Sequence, residues 1–401
     1  MFGAGRCINV EDFRRLARRR LPDAIVDFFD GAAEDEHILL RNRTSFAAWA
    51  LLPKSMRDVS SVSAATRVLG QDVAWPFVVG PTGMPGLLHP DGEIGIARAA
   101  ERAGALNSLS TMASRSIEEV AAATAGPKAF QLYLFRDRGI TLELIQRAKA
   151  AGYKALILTV DVQVPANRER DRRNGMTIPP KFALRTMLDF ARHPRWCWNV
   201  LVKRPVVLAN FSGNRADPGV PLLTFINQQF DPSIGWHDLE WVAKHWSEPL
   251  AITMAVGRWT TPSRRWTCCP PWRKDWTGAP RSSWTAGCAA EPICSRRSPS
   301  VLRRAWRGGW ASMGWRAGGS AGAEAVLGAL RAEFERDLAL LGARDRLRDR
   351  PLVRACARRT CGVCPSRMTA GVRAPCAIWS RTRCGSPVRA SAVRHPRRMT
   401  F

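Results

Sequence analysis

No run of apolar residues in this 401-residue chain approaches the ~20 needed to cross a bilayer as a helix. Met1 to Val10 lacks the apolar core of a secretory leader, so a cytoplasmic protein without structural disulfides is expected. Cysteine is sparse where it would matter: only Cys7 and Cys197 precede residue 259, and the other nine follow it. Acidic residues are also short, 34 against 61 Lys and Arg, for a net charge of +27. Taken whole, that balance points to nucleic acid or an anionic membrane. The shortage is local, however. Trp259–Arg316 holds 11 basic and 2 acidic residues, Pro351–Phe401 holds 11 Arg and no acid, and together these segments carry 20 of the 27 excess charges. The remainder has an ordinary surface. Its length suffices for one large core or two ordinary ones.

What is present is alternation. NVEDFRRLARRRLPDAIVDFFDGAAEDE shows helical spacing broken by Pro22 and Gly31. From Trp75 strand-like and helix-like runs alternate: WPFVVGPTGM then EIGIARAAERAGA, LNSLST then SIEEVAAAT, KAFQLYLF then TLELIQRAKAAG, YKALILTVD, and finally EPLAIT. Alternation at this short period predicts parallel strands joined by crossover helices. A (β/α)8 barrel places its working residues at the C-terminal ends of strands. Polar residues fall there: Pro81, Thr82 and Gly83, then Ser110, Gln131 with Tyr133, and Thr159 with Asp161. A doubly wound sheet fits the alternation too, but no G-x-G-x-x-G follows the first strand. Between the fourth and fifth runs lies an insertion, residues 176–215, rich in Lys, Arg, Trp and Phe. Its composition suits a lid over the site, or a contact with the inner face of an anionic membrane.

The ordered stretches GPTGM, LSTMAS, FQLYLFRDR, LTVDVQVPANRERDRRNG and LPDAIVDFFDGAAEDE resemble the FMN-dependent α-hydroxy-acid dehydrogenases and oxidases, over roughly Ile8 to Thr253. NRERDRRNG and the basic insertion are most similar to the mandelate branch, with the flavin-type lactate dehydrogenases beside it. The resemblance implies a (β/α)8 barrel and FMN, with Pro81, Thr82, Gly83, Ser110, Gln131 and Thr159 lining the flavin. It implies that Tyr133 contacts the substrate hydroxyl or carboxylate, that Arg168 holds the carboxylate, and that Asp161 orients a catalytic histidine. Phe28 stands where relatives carry a tyrosine, so a hydroxyl directed at the substrate is lost. Singly, Ser110 and Thr159 would read as strand-end polar groups, and Asp161 as a helix cap or a structural partner of Arg168. The ordered set favours the site. The implied reaction oxidises a small 2-hydroxy acid to the 2-oxo acid, passes electrons to a quinone or oxygen, and is often run by a homotetramer.

The family's later motifs are absent in the frame as written: a lysine, a His-Gly-Gly-Arg with the base, an Asp-Gly-Gly loop and a phosphate-binding Gly-Arg. Thr253 stands in the lysine's place, and His237 and His245 precede the last strand. The genetic code supplies a reason. Read one frame over, Met254-Ala255 hides Gly and Trp284-Thr285 hides Asp, because Met and Trp have single codons. With sensible third bases, Ile252 onward hides Asn-His-Gly-Gly-Arg, and Ser283–Ser300 hides Leu-Asp-Gly-Gly-Val-Arg-Arg-Gly-Thr-Asp-Leu-Phe-Lys-Ala-Leu-Ala-Leu. GC-rich codons read off frame yield Arg, Pro, Trp and Cys, which accounts for the local charge. GGSAGAEAVLGALRAEFERDLALLGARD again resembles the family's closing helix.

The expected organisation is therefore a barrel portion over 1–253, incomplete after its fifth strand, and an off-frame segment over 254–316. A closing helix over 317–350 and an unstructured basic tail over 351–401 complete it. A reading from another class is a basic nucleic-acid-binding protein built on a partial barrel, supported by the charge and by interleaved Trp and Arg. The charge tracks the off-frame segments, so no nucleic-acid partner is expected. Metal ligands are not expected either.

Overall fold

Two amphipathic helices open the fold. Helix α1 (Val10–Arg20) is capped by the Asn9 side chain, which accepts the Asp12 amide at 3.0 Å. Glu11 and Asp12 sit at its positive end and Arg18, Arg19 and Arg20 at its negative end. Leu21 and Pro22 break the helix, and α2 (Asp23–Asp30) follows, tied back to α1 by the Arg14–Asp30 ion pair at 3.0 Å. In this computed structural model the described residues are 4–37, 39–40, 49–160, 166–176, 181–203, 205–211, 222–253, 310–343 and 352–355. All belong to one compact unit, Met1–Ala357.

Five parallel strands come next, and their order in the sheet is their order in the chain: β1 (Val78–Val79), β2 (Leu106–Ser110), β3 (Lys128–Tyr133), β4 (Leu156–Thr159) and β5 (Leu250–Thr253). A doubly wound sheet reverses its strand order partway; this one does not, so it is a curled part of a (β/α)8 barrel. The crossovers are α3 (Gly92–Arg102), α4 (Ile117–Ala123) and α5 (Arg138–Ala150). The β4–β5 connection is longer: α6 (Glu169–Arg173) and α7 (Leu184–Ala191) precede α8 (Trp236–His245), which completes the crossover. Every residue of β2 and of β4 is buried, as expected for parallel strands covered on both faces.

Residues 254–309, the segment expected to be off frame, lie outside the described residues, and the description resumes with helix α9 (Trp310–Leu340). A break at Gly318 and Gly319 interrupts it. Gly319 has φ +62°, and a Cβ there would lie 2.8 Å from the His89 ring, so glycine is required. Beyond the break, Ala323, Val326, Leu327, Leu330, Phe334 and Leu338 form one buried stripe that packs across α1 and α3. Arg102 of α3 pairs with Glu324 at 2.7 Å beside it. The tail expected to be unstructured from Pro351 has its first residues, Leu352–Ala355, in antiparallel pairing with Trp49–Leu52. The rest of that tail lies outside the described residues.

The insertion is docked rather than loose where it is described. Trp196 is buried, donates its indole N–H to the Leu87 carbonyl at 2.7 Å and stacks on Phe190 at 5.3 Å. Leu184, Met187, Leu188, Trp198 and Val202 remain exposed. No helix among the described residues is long and apolar enough to cross a membrane.

The Phe334 ring lies 6.2 Å from that of Trp75. Phe334→Ala is expected to cost about 3–5 kcal/mol, read as a lower urea midpoint at an unchanged m-value. A loss below about 1 kcal/mol would mean that α9 is not part of the core.

Candidate active site

Strand register aligns a row of side chains across the sheet. Ser110 pairs with Gln131, Tyr133 with Thr159, and Thr159 with Thr253. Side chains alternate between faces along a strand, so Gln131 and Tyr133, two residues apart, share one. The row Ser110, Gln131, Tyr133, Thr159, Thr253 thus lies at or beside the C-terminal ends of β2 to β5, where a barrel carries its chemistry.

Gln131 is the hub of the row. Its Oε1 accepts the Ser110 hydroxyl at 3.0 Å and the Thr111 amide at 3.4 Å, and its Nε2 donates to Thr159 Oγ1 at 3.0 Å. Its carbonyl accepts the Thr111 hydroxyl at 2.5 Å, and Thr111 Oγ1 accepts the Tyr133 amide at 3.3 Å. Ser110, Thr111, Gln131 and Thr159 are all buried. The two donors at Oε1 fix which way the amide points. No member of the row carries a charge.

The loop after β1 carries Pro81, Thr82 and Gly83, all half-buried, with Thr82 Oγ1 3.4 Å from the Gly80 carbonyl. It is joined to the loop after β2 by the Met84 amide, which donates to the Met112 carbonyl at 2.9 Å. A small cavity beside these loops is lined by Val79, Gly80, Thr82, Glu93, Asn107 and Ser108, among others. At the other end of the row the Tyr133 ring meets Phe230 edge-on, centroids 5.7 Å apart.

Phe28 and Arg168 form a second group. The Arg168 guanidinium lies 5.3 Å from the Phe28 ring centroid, donates to the Phe28 and Gly31 carbonyls at 2.6 and 3.0 Å, and pairs with Asp171 at 3.2 Å. A cation at the C-terminal carbonyls of α2 meets the negative end of that helix. Burial pushes the Asp171 carboxyl up to about 6 against the opposing pull of Arg168. Asp161 lies outside the described residues. His237 is exposed, and His245 holds the Trp241 carbonyl at 2.8 Å, so neither joins the row.

Several members of this network were not anticipated from sequence. Thr111 was overlooked beside Ser110. Asn210 closes the loop after β2 by donating to the Thr111 carbonyl at 3.1 Å and accepting the Ile117 amide at 3.0 Å. Glu93 and Asp171 were also missed. For Asp171 a signal existed, three residues after Arg168 on one helical turn. For Asn210, about a hundred residues from its partners, none did.

The sequence pattern of the family described as FMN-dependent dehydrogenase matches residues 17–253. A protein of Mycobacterium tuberculosis named putative L-lactate dehydrogenase is 43% identical over 249 residues, 62% of this chain and 59% of that protein. An L-lactate dehydrogenase of Serratia proteamaculans is 40% identical over 244 residues, 60% of this chain and 64% of that one. The chain thus spans less than two thirds of these relatives' lengths. Among solved structures, that of the monotopic membrane protein (S)-mandelate dehydrogenase superposes with a TM-score of 0.70 at 30% identity, covering 85% of this chain and 96% of that one.

Gln131→Leu keeps the volume but leaves Ser110, Thr111 and Thr159 without their shared partner. It should cost about 2–3 kcal/mol in chemical unfolding. A loss under about 0.5 kcal/mol would show that Gln131 does not hold the row together.

Proposed function

This chain belongs to the FMN-dependent dehydrogenase family, and on that premise we propose that the strand-end row holds the edge of FMN for oxidation of a 2-hydroxy acid. The observation that carries the reading is the buried, uncharged row Ser110–Gln131–Thr159. The donor set fits an isoalloxazine edge, whose carbonyls and ring nitrogens call for neutral hydroxyl, amide and backbone partners. The Pro81-Thr82-Gly83 loop adds backbone to that set. FMN bound there supplies a two-electron acceptor.

The chain's own residues divide the remaining work. The Tyr133 phenol donates to the hydroxyl or carboxylate of the substrate, and Arg168 holds the carboxylate, for which a planar guanidinium is well shaped. Phe28 offers only apolar surface, which leaves the carboxylate more dependent on Arg168. Asp161 orients the base in members that have one. The substrate is mandelate- or lactate-like, in line with the names of the relatives. A quinone or oxygen takes the electrons, and the active form is a homotetramer. As written, the chain lacks a base and a phosphate loop, so we assign it lost or impaired turnover.

Purified as encoded, the protein is expected to come without FMN and without turnover of (S)-mandelate or L-lactate. With the frame restored across residues 254–316, it should bind FMN and lose the flavin's visible absorbance when either acid is added anaerobically. Failure to bind FMN would remove the site assignment. Binding without reduction by either acid would remove the substrate class.

A second observation supports a peripheral place on the inner face of the cell membrane. Leu184, Met187, Leu188, Trp198 and Val202 are exposed on a segment that also carries Arg185, Arg192, Arg195 and Lys203. Apolar side chains among cations suit an interface with anionic lipid. The similarity to a monotopic membrane protein points the same way. The protein should float with phosphatidylglycerol vesicles more than with phosphatidylcholine vesicles, and Leu188→Glu with Trp198→Glu should weaken binding about tenfold or more. Equal flotation of wild type and variant would rule out this surface.

A further inference from the structure

Glu93, near the start of α3, is buried, yet no cation lies within ion-pair distance of it among the described residues. Both of its carboxyl oxygens are engaged by one residue. Oε1 accepts the Ser114 amide at 2.6 Å, and Oε2 lies 2.7 Å from the Ser114 hydroxyl. Ser114 Oγ also accepts the Gly86 amide at 2.9 Å. The approach is close: a Cβ at position 86 would lie 2.6 Å from that oxygen, so only glycine brings the backbone near enough. Gly86 belongs to the loop after β1 and Ser114 to the loop after β2. Those loops are also joined by the Met84 amide on the Met112 carbonyl and by Arg115 on the Pro90 carbonyl. Glu93 also lines the cavity beside Thr82, Asn107 and Ser108.

We infer that Glu93 is a positioning residue: through Ser114 it sets the spacing of the loop after β1 against the loop after β2, and with it the fit of the flavin edge that Pro81, Thr82, Gly83 and Ser110 line. The last clause rests on the flavin reading above; the clamp itself does not. The ionisable groups facing Glu93 are Arg115, whose guanidinium is directed to the Pro90 carbonyl at 2.6 Å, and the phenol of Tyr153, which donates to Ile117 at 3.1 Å. The Arg115 charge and the Ser114 hydrogen bonds pull the carboxyl down, but burial outweighs them. Burial accordingly pushes the Glu93 carboxyl up to about 7. The sign follows from linkage. The closed loops hold the proton more tightly than open, solvated ones. Their advantage is therefore full below the ordinary carboxylate range and lost as the pH rises through about 7.

Native-state hydrogen exchange at the Gly86 and Ser114 amides tests the clamp on the flavin-free chain, Glu93→Gln and Glu93→Ala. The alanine variant should exchange at both amides about tenfold faster or more. Glutamine accepts from the Ser114 amide and donates to its hydroxyl, so it should stay within about twofold of wild type. Raising the pH from about 5 to about 8 should promote opening in wild type beyond the ordinary base-catalysed trend, and not in the glutamine variant. Unchanged exchange in the alanine variant, a glutamine variant as loose as the alanine one, or a pH response shared by wild type and glutamine would each overturn the inference. Should the alanine variant fail to fold, the wild-type and glutamine comparison decides. Because no flavin is present, loss of the flavin reading leaves these results untouched, and their failure leaves that reading standing.

Discussion

A parallel sheet has no solvated face, and five strands cannot close the ring that would cover one of them. The described part of the molecule is arranged around that constraint. Helices α3, α4, α5 and α8 are the crossovers that a parallel sheet requires, and their apolar sides line the buried clusters. One cluster runs from Phe13 of α1 through Trp75 and Phe77 to Leu327, Leu330 and Phe334 of α9, with Trp196 of the insertion among its members. Helix α9 therefore packs over α1 and α3 and closes the cluster that Trp75, Phe77 and Val79 share at the first strand.

The strand ends meet the same constraint with polar groups. Ser110, Gln131 and Thr159 are buried, so each must find a partner within the protein. Register supplies them, because paired positions on parallel strands face the same way. One glutamine then satisfies two hydroxyls and a backbone amide without a charge. A charged hub at the same depth would need a counter-ion or a shifted protonation state. Both occur elsewhere, in the Arg168–Asp171 pair and at Glu93, away from the row. The arrangement keeps the row neutral and rigid, the condition for binding a flat heteroaromatic edge by hydrogen bonds.

Much of this was legible in the sequence, and the boundary is physical. Alternation of apolar runs located all five strands and the first three crossovers, because periodicity is a local property; the fourth, α8, was not read from it. Ser110, Gln131, Tyr133 and Thr159 were found since they end those runs. Glu93 and Ser114, 21 residues apart, and Asn210 with Thr111, 99 apart, were not. Their hydrogen bonds depend on how loops meet in space, which no period encodes. Arg168 was found by motif, but its grip on the Phe28 and Gly31 carbonyls was not foreseen. That grip follows from α2 ending just where α6 packs against it. Asp161 was named from the same motif and lies outside the described residues.

The packing of α9 also bears on the charge. The sequence of residues 254–309 shows no apolar period. Past the Gly318–Gly319 break, apolar residues recur at 323, 326, 327, 330, 334 and 338, the spacing of one helical face. That face is buried against α1 and α3. Such complementarity ties a helix near the end of the chain to two in its first 102 residues. Residues 259–316 and 351–401 carry 20 of the 27 excess charges, so the rest of the chain has an ordinary charge balance. The case for a nucleic-acid partner then loses the observation on which it stood.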